Sequence, residues 1–501
     1  MSSINILINA LDPEECRIAK VKDSKLEEFH IETAGREIIH GNIYKGVITR
    51  VEPALQCAFV EYGAERNGFL QKNEIHSDYF QDNPSRDLSI QNIISRGQEM
   101  LVQVTKDPIM KKGAMLTTFI SLPGRYVVLM PGSQTIGVSR KIEDEAERSR
   151  LKAIVEDLKL PEGFGLIVRT AGAECNKTAL SQDVRYLLKL WKNIKTKGLD
   201  QSAPALLYKE QNLVQRVIRD YFTTDASGIL IDHPDIYREV KEQLNLISPR
   251  HTKLVKRYQG AKPIFTKYQL ENQIASIYES RVELKSGGSI VIESTEALVA
   301  IDVNSGKGIH QKSIEQTALH TDVEAAEEIA RQLRLRDLGG LIVIDFIDMR
   351  DAKNKSEVER AMKTFLKTDK ARVKVGKISQ FGLMEMSRQR LRPSIEFGGF
   401  QACPSCKGKG IIPSKETLGL SFLRKLRLET LKENLVQVTG IVPVEVADYL
   451  LNRKRREILD LESRRGLSII ITGDPVLAPG DSKIVSEVRS PEAPQPVRPE
   501  G

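Results

Sequence analysis

One apolar run limits what this chain can fold into more than any other feature of the sequence. Residues 341–346 read Leu-Ile-Val-Ile-Asp-Phe, which is long enough for a buried strand and too short for a helix. Two strand-like segments precede it, at 289–293 and 298–304. Together the three segments predict neighbouring strands in the best-defined part of an α/β multidomain chain.

Two helices are predicted from apolar residues at helical spacing and from signals at their ends. The longer one begins at Thr321, where Glu324 completes a capping box, and it ends at residue 338 before two glycines. The other spans residues 181–194, and we expect its C-terminal stop at Gly198, after cations in the last turn.

The remaining sequence indicates several further domains, and at roughly 100–200 residues per domain a chain of 501 residues has room for three to five. Residues 36–119 carry short strand patterns punctuated by glycine, as a small β-barrel requires. Residues 120–212 mix strands with helices, and 213–278 form a second α/β unit. A small mixed domain is expected at 416–473, and the proline-rich residues 476–501 are expected to be disordered.

Charge and cysteine content restrict the binding partners and the cellular compartment that we expect for the protein. The net charge is +8, from 75 Lys+Arg against 67 Asp+Glu, which points to nucleic acid only if the basic residues line a groove. Five cysteines without paired spacing argue against a disulfide framework and for a reducing compartment. The sequence shows no signal peptide and no run of about 18 apolar residues, so we expect a cytoplasmic protein without a membrane span.

Acidic residues stand at the ends of two of the predicted strands. Strand alternation puts Asp302 and Asn304 on one face, and Asp345 ends the apolar run. Mg²⁺ suits such a pair, because it takes hard oxygen ligands and is usually held by one or two carboxylates. The alternative is that the aspartates only cap strand ends and form ion pairs with Arg350 or Lys307.

The turn Cys403-Pro-Ser-Cys406 resembles half of a zinc site. A structural zinc takes four ligands, and the single cysteines Cys16, Cys57 and Cys175 supply no second pair. The simplest completion is a second copy of the chain, which predicts a zinc-bridged homodimer. A redox pair is the alternative, although the surrounding sequence lacks the βαβ pattern of that class.

The all-β segment combines aromatic with basic residues, namely Tyr44, Phe59, Phe69, Lys45, Arg50, Arg66 and Lys112. On a small barrel, bases of single-stranded nucleic acid stack on rings while cations follow the backbone. The alternative is that these rings belong to the core of the barrel.

A dense basic run, Arg388, Arg390 and Arg392, follows the predicted strands. It has two interpretations: the guanidinium groups hold phosphates near the carboxylates, or they form the solvated face of a helix.

Five strings, in this order, resemble those of the ribonuclease E/G family and cover nearly the whole chain to about residue 470. They are Asn-Ile-Tyr-Lys-Gly at 42–46, Gly-Leu-Ile-Val-Arg-Thr at 165–170, Asp-Val-Asn-Ser at 302–305, the long string from Arg331 to Asp348, and Cys-Pro-Ser-Cys at 403–406.

The resemblance implies an RNase H-like subdomain that holds an inserted S1 barrel of the OB type and a 5′-sensor region. A DNase I-like catalytic subdomain, a zinc link and a small α/β dimerisation domain follow. The implied boundaries are 1–36 and 213–278 for the RNase H-like subdomain, 37–119 for the S1 RNA-binding barrel, 120–212 for the 5′-sensor region, 279–399 for the DNase I-like subdomain, 400–414 for the zinc link, 415–475 for the dimerisation domain and 476–501 for a disordered tail.

The same resemblance assigns roles to individual residues. It implies that Asp302 and Asp345 bind Mg²⁺ with help from Asn304. The residues that it implies for RNA binding on the barrel are Phe59, Phe69 and Lys112. The residues that it implies for a 5′-monophosphate pocket are Gly124, Val128, Arg169 and Thr170.

The implied activity is hydrolysis of A/U-rich single-stranded RNA to 5′-phosphate and 3′-hydroxyl ends, stimulated by a 5′-monophosphate, in rRNA and tRNA processing and mRNA decay. The implied assembly is a homotetramer, a dimer of zinc-linked dimers. Because the sequence ends soon after the small domain, we expect neither the long scaffold tail of larger members nor degradosome partners. A non-catalytic RNA clamp and a metal-dependent phosphodiesterase acting on DNA are the rival functions. The carboxylate pair argues against the clamp and the aromatic barrel against the DNA enzyme.

Overall fold

The computed structural model describes most of the chain and divides it into two compact units, Met1–Phe397 and Gly398–Gly501. The described residues are 3–33, 38–80, 89–108, 113–173, 175–210, 212–222, 226–306, 314–392, 394–395, 400–401 and 403–488. No helix within these ranges is both long enough and apolar enough to cross a membrane.

The first unit opens with an antiparallel meander of three strands. They are β1 (Ile4–Asn9), β2 (Glu15–Lys22) and β3 (Lys25–Thr33). Apolar residues alternate along these strands, so that Ile6 and Ile8 face one core while Leu7 faces another.

A closed barrel of five strands follows, which confirms the prediction of a small all-β segment. Its strands are β4 (Ile43–Glu52), β5 (Cys57–Glu61), β6 (Gly68–Gln71), β7 (Glu99–Lys106) and β8 (Met115–Thr117). The barrel closes because β4 pairs with β7 as well as with β5, which leaves no free edge between them. Its interior holds alternate strand residues, among them Ala58, Val60 and Leu70.

A four-stranded sheet with two helices comes next. Its elements are β9 (Leu122–Pro123), β10 (Val127–Pro131), β11 (Ile136–Val138), α1 (Glu145–Asp157), β12 (Phe164–Val168) and α2 (Lys177–Asp200). The predicted stop of the second helix at Gly198 is wrong, because α2 runs through this glycine to Asp200. Gly198 faces Leu101 and Leu207, so close packing accounts for the glycine better than a helix end does. Strand β13 (Ala205–Tyr208) then returns to pair with β4.

The next segment adds two strands to the sheet formed by β1, β2 and β3. The elements are α3 (Leu213–Tyr221), β14 (Ala226–Ile231), α4 (Pro234–Ile247), β15 (Val255–Arg257) and the short helices α5 (Ile264–Lys267) and α6 (Glu271–Ala275). Because β14 pairs in parallel with β1, the barrel and the four-stranded sheet are insertions between β3 and β14.

A six-stranded sheet ends the first unit, in the order β16-β17-β18-β19-β21-β20. Its elements are β16 (Arg281–Glu283), β17 (Ser289–Ser294), β18 (Leu298–Asn304), α7 (Ile314–Leu335), β19 (Gly340–Asp345), α8 (Ala352–Leu366), β20 (Val373–Ile378) and β21 (Leu383–Arg388). The three strands predicted here are confirmed. Helix α7 connects β18 to β19, which makes this pair parallel, while the other pairs are antiparallel.

The predicted capping box of the long helix is wrong. Thr321 lies inside α7 and is buried, so it does not begin the helix. The Glu324 carboxylate instead accepts the backbone N–H of Ser286, at 3.1 Å for Oε2. Glu324 therefore makes a tertiary contact and does not form the helix cap that the local pattern predicts.

The second unit is a small α/β domain around a three-stranded sheet. Its elements are α9 (Lys415–Glu429), β22 (Leu435–Val442), α10 (Val444–Arg453), α11 (Arg455–Arg465), β23 (Ser468–Gly473) and β24 (Lys483–Val488). The prediction of disorder from residue 476 is wrong for β24, which pairs antiparallel with β22 over most of its length. Alternation of exposed and half-buried residues stabilises this strand without a strongly apolar sequence.

Candidate active site and nucleic-acid interface

The two candidate aspartates lie side by side at one end of the six-stranded sheet. Asp302 on β18 and Asp345 on β19 are register partners in the parallel pair, and both side chains are exposed. Their strand neighbours Ile301, Val303 and Ile344 are buried in the core beneath. Strand alternation thus anchors the backbone while it aims both carboxylates out of the sheet.

Asn304 belongs to the same group, as its position two residues beyond Asp302 predicts. Its Nδ2 donates to Oδ2 of Asp302 at 2.7 Å. This bond fixes the orientation of the Asp302 carboxylate.

A third carboxylate, Asp348, was not singled out from the sequence. Burial raises the pKa of Asp345, and the negative charges of Asp302 and Asp348 raise it further. The charges acting on Asp345 are thus acidic, which does not favour the ion-pair alternative. Arg350 is not among the charges that act on Asp345, and Lys307 lies outside the described residues. The spacing of Asp345 and Asp348 along the chain was the available signal.

A glycine keeps the space beside these carboxylates open. Gly382 lies in the turn between β20 and β21, next to Leu383, the register partner of Asp345. Its φ is +81°, and an added Cβ would lie 3.2 Å from Oδ1 of Asp348 and 3.9 Å from Oδ1 of Asp345. Both the backbone angle and the close approach therefore require glycine here.

A buried acid from α7 supports the loop that follows Asp345. Oδ1 of Asp322 accepts the backbone N–H of Ile347 at 3.0 Å, while Oδ2 is buried and has no partner in the described part of the chain. Burial raises the pKa of Asp322 to about 7, and the bond from Ile347 opposes that rise. This acid holds the backbone between Asp345 and Asp348.

The donor set fits a hard cation with few protein ligands. No group of three or more His, Cys, Asp or Glu side chains suited to a metal occurs in the described ranges. Mg²⁺ is nevertheless commonly held by one or two carboxylates plus water and phosphate oxygens. A cation between Asp302 and Asp345 would offset the repulsion that raises the pKa of Asp345.

The basic run after β21 is not part of this site. Arg388 is the last residue of β21 and pairs with Gly340, at the opposite end of β19 from Asp345. It is buried, and its Nε donates to Oδ2 of Asp369 at 2.7 Å. Both earlier interpretations of Arg388, as a phosphate ligand near the carboxylates and as part of a solvated helix face, are therefore wrong.

The barrel carries a compact aromatic pair on its outer side. Phe59 on β5 and Phe69 on β6 are register partners, with ring centroids 6.0 Å apart at 72°. The Arg50 guanidinium lies over the Phe59 ring, 4.7 Å from its centroid. Both rings are half-buried and lie on the face opposite the barrel core. Lys112, the third predicted RNA-binding residue, lies outside the described residues.

The four residues of the predicted phosphate pocket come together on the four-stranded sheet. Val128 on β10 pairs with Ile167 on β12, and Arg169 and Thr170 follow directly after β12. Nη1 of Arg169 donates to the carbonyl of Gly124 at 2.5 Å. Thr170 is exposed and Gly124 is buried, and the Arg169 guanidinium links the turn at Gly124 to the end of β12.

Two acids that sequence reasoning missed hold this group of residues in place. Asp183 on α2 accepts the backbone N–H groups of the turn after Gly124, including that of Tyr126 at 2.7 Å. Asp220 on α3 accepts from Nη2 of Arg169 at 2.7 Å. Although burial opposes ionisation of Asp220, the guanidiniums of Arg219 and Arg169 hold its pKa well below its usual range. Asp220 thus fixes Arg169 in place, and neither acid had a local sequence signal.

The cysteine pair lies in an exposed turn of the second unit. Cys403 is exposed and Cys406 half-buried, and all five cysteines of the chain are free thiols. The backbone N–H groups of Cys406 and Ser405 lower the pKa of the Cys403 thiol. Lys409 donates its backbone N–H to the carbonyl of Cys406. A thiol that ionises easily in a tight turn is suited to bind zinc.

Three family models match the chain. The Ribonuclease E/G family matches residues 121–391, the S1 RNA binding domain matches 37–107, and the RNase E/G thioredoxin-like domain matches 402–487. The S1 match covers four of the five strands of the barrel that carries the aromatic pair, all but β8.

The chain is also similar to proteins that are named ribonucleases. It is 49% identical over 470 residues to Ribonuclease E of Haemophilus influenzae, covering 93% of this chain and 50% of the relative. It is 46% identical over 480 residues to Ribonuclease E of Escherichia coli, covering 95% of this chain and 45% of the relative. It is 38% identical over 465 residues to Ribonuclease G of Haemophilus influenzae, covering 92% and 94%. The chain therefore spans about half the length of the Ribonuclease E relatives.

Proposed function

Because the chain belongs to the ribonuclease E/G family, we propose that it is a magnesium-dependent endoribonuclease that cuts single-stranded RNA. The single observation that carries this proposal is the parallel register of Asp302 and Asp345, which brings two exposed carboxylates to one edge of a sheet. A protein that only binds RNA needs no such pair. The proposed products end in a 5′-phosphate and a 3′-hydroxyl.

Asp302 and Asp345 are the residues that would hold Mg²⁺, and Asn304 keeps the Asp302 carboxylate oriented toward it. When bound, this ion supplies polarisation of the phosphoryl group and stabilisation of the leaving oxygen. Asp322 holds the loop after β19, so the Asp345 carboxylate keeps its position when the substrate arrives. The glycine at 382 leaves room for an RNA backbone beside the carboxylates.

The S1 barrel is the surface that we propose for the single strand. Phe59 and Phe69 offer rings on which bases stack, and Arg50 adds a positive charge at the Phe59 ring. Stacking tolerates any base, so this surface accounts for binding, whereas the preference for A/U-rich segments rests on the family resemblance. The role of Lys112 in holding the strand is carried over from the resemblance alone.

The group formed by Gly124, Val128, Arg169 and Thr170 is the proposed site for a 5′-monophosphate. Arg169 supplies a planar guanidinium that Asp220 and the Gly124 carbonyl hold in a fixed direction. The exposed Thr170 hydroxyl adds a donor at the rim. A terminal monophosphate bound here would stimulate cleavage elsewhere on the same RNA.

The proposed assembly is a homotetramer built from zinc-linked dimers. Cys403 and Cys406 supply two thiolates per chain, so two chains complete the four ligands of a structural zinc. We assign 400–414 as the zinc link and 415–475 as the dimerisation domain, to which β24 adds a strand. The other assignments are RNase H-like for 1–36 and 213–278, 5′-sensor for 120–212 and DNase I-like for 279–399. The proposed setting is the cytoplasm, in rRNA and tRNA processing and mRNA decay.

The proposed reaction is tested by the ends of its products. A 5′-monophosphorylated, A/U-rich RNA without secondary structure is incubated with the protein in Mg²⁺ or in chelator. Internal cleavage only with Mg²⁺, to products that RNA ligase accepts at the 5′ end and that carry a free 3′-hydroxyl, supports the proposal. RNA that stays bound but intact under all conditions would instead support the clamp function.

A further inference from the structure

A cavity on the barrel has no role in the function proposed so far. Its volume is about 650 Å³, and its lining includes Leu55, Gln71, Lys72, Asn73, Phe80 and Phe119. This volume falls in the range of cavities that hold small ligands.

The cavity continues the aromatic face of the barrel. In β5 and β6, Phe59 pairs with Phe69 and Cys57 pairs with Gln71. Since side chains alternate along a strand, Gln71 lies on the same outer face as Phe69, about 7 Å further along. Leu70 between them points into the barrel core. One RNA strand on the aromatic pair can therefore reach the cavity without leaving the surface.

The lining suits a nucleobase. The Phe119 ring is 45% exposed and lies edge-on to the His76 ring, 5.4 Å between centroids, so part of its face is open for a base to stack on. Leu55, 66% exposed, adds apolar surface beside it. The amide side chains of Gln71 and Asn73 make no hydrogen bond within the described part of the chain, so they can read the polar edge of a base.

The charge of the lining favours RNA over a protein segment. Lys72 is a cation of the lining, and the described residues of the lining include no Asp or Glu. A cation next to apolar and amide surface matches a base with its phosphate. The cavity also lies within the part of the chain that matches the S1 RNA binding domain, apart from Phe119.

We propose that this cavity is a further base-binding subsite, which takes an unpaired nucleotide of an RNA already stacked on Phe59 and Phe69. The inference rests on the proposed function, because it extends the RNA track of the barrel. It predicts that only an RNA long enough to span both positions gains from the cavity.

Binding of fluorescent uridine oligomers tests the subsite in the full-length protein without Mg²⁺. Two lengths are compared by anisotropy, about two and about twelve nucleotides, because the shorter one covers only the aromatic pair and the longer one also reaches the cavity. The variants are Phe119→Ala and Leu55→Ala in the cavity, with Phe59→Ala as the matched control on the aromatic face.

We expect Phe119→Ala to weaken binding of the longer oligomer by about tenfold, the effect of losing one stacked base, and Leu55→Ala to weaken it less. Both variants should leave binding of the shorter oligomer unchanged. Phe59→Ala should weaken binding of both oligomers. Unchanged binding of the longer oligomer in both cavity variants would overturn the subsite. The exposed apolar side chains of the cavity would then be a contact surface for a protein segment. Equal losses for both lengths would also overturn it, because the variants would then act through the aromatic pair. If the unaltered protein binds neither oligomer, the proposed function itself fails.

Discussion

Asp302 lies directly opposite Asp345 across a parallel strand pair, with both carboxylates at the same edge of the sheet. Burial raises the pKa of Asp345, and the negative charges of Asp302 and Asp348 raise it further, since like charges in this arrangement destabilise each other. Such pairs are concentrated at functional sites, where a bound cation or substrate uses the charge. The buried core beneath provides the rigidity that holds them together.

Gly382→Ala is expected to reduce cleavage more than it reduces stability. Alanine at φ +81° costs about 1–2 kcal/mol of backbone strain, and its Cβ would also press on the Asp348 carboxylate at 3.2 Å. Gly163→Ala is the matched control, since its φ is also +81° and an added Cβ there meets nothing within 4 Å. Thermal unfolding and cleavage rates of both variants separate strain from crowding. Equal cleavage rates in the two variants would show that an added Cβ at Gly382 does not crowd the carboxylates, which would contradict the prediction.

Asp322 is expected to make stability fall as pH rises. Its pKa is raised from 3.8 to about 7 in the folded protein, so the folded state binds more protons than the unfolded state between these values. Stability is therefore lost as pH rises from about 4 to about 7, and no further loss comes from this group above that range. Asp322→Asn removes this effect. The free energy of unfolding of the variant, relative to that of the wild type, should therefore increase by a few kcal/mol over the same pH interval.

The pH effect is measured as the difference between the urea midpoints of the two proteins at each pH, without Mg²⁺. Asp200→Asn, at an exposed position, is the control. A difference that stays constant from acid to neutral pH would show that Asp322 does not ionise in this interval.

Arg169→Ala is expected to slow cleavage of 5′-monophosphorylated RNA selectively. The loss of a charged hydrogen bond to phosphate, about 1.5–3 kcal/mol, corresponds to a rate about tenfold to a hundredfold lower. Circular RNA of the same sequence has no 5′ end and should be cut at the wild-type rate. Equal slowing of linear and circular RNA would contradict the sensor role and point to a structural role through Asp220.

Replacing both Cys403 and Cys406 with serine is expected to remove bound zinc and to halve the native mass. Cys175→Ser is the control, because this residue is a half-buried thiol of the first unit. Metal analysis and light scattering on the same samples give both quantities. Loss of zinc with an unchanged native mass would refute the bridge between chains.

The parts of the site that follow from local rules were predictable from sequence. Alternation placed Asp302 and Asn304 on one face, and the apolar run ending in Asp345 could only be a buried strand. The closed barrel followed in the same way from short strands and glycines. These features depend on residues within a few positions of one another.

The parts that depend on distant contacts were not predictable. Asp322 supports a loop 25 residues away, and Asp220 reaches Arg169 across 51 residues. Predictions from local patterns were wrong where tertiary contacts determined the position of a side chain. Thr321 lies inside a helix that it was expected to cap, and Arg388 is neutralised by Asp369 in the core.

The most direct test of the account compares cleavage and binding in Asp302→Asn and Asp345→Asn. Each variant keeps the size of the side chain and removes one charge from the proposed cation site. Glu293→Gln, an exposed position on the neighbouring strand, is the control. The substrate is the 5′-monophosphorylated RNA with Mg²⁺, and binding is measured in parallel. The account predicts cleavage lowered by about a hundredfold or more in both variants, with RNA affinity and the control unchanged. Full cleavage by either variant would contradict it.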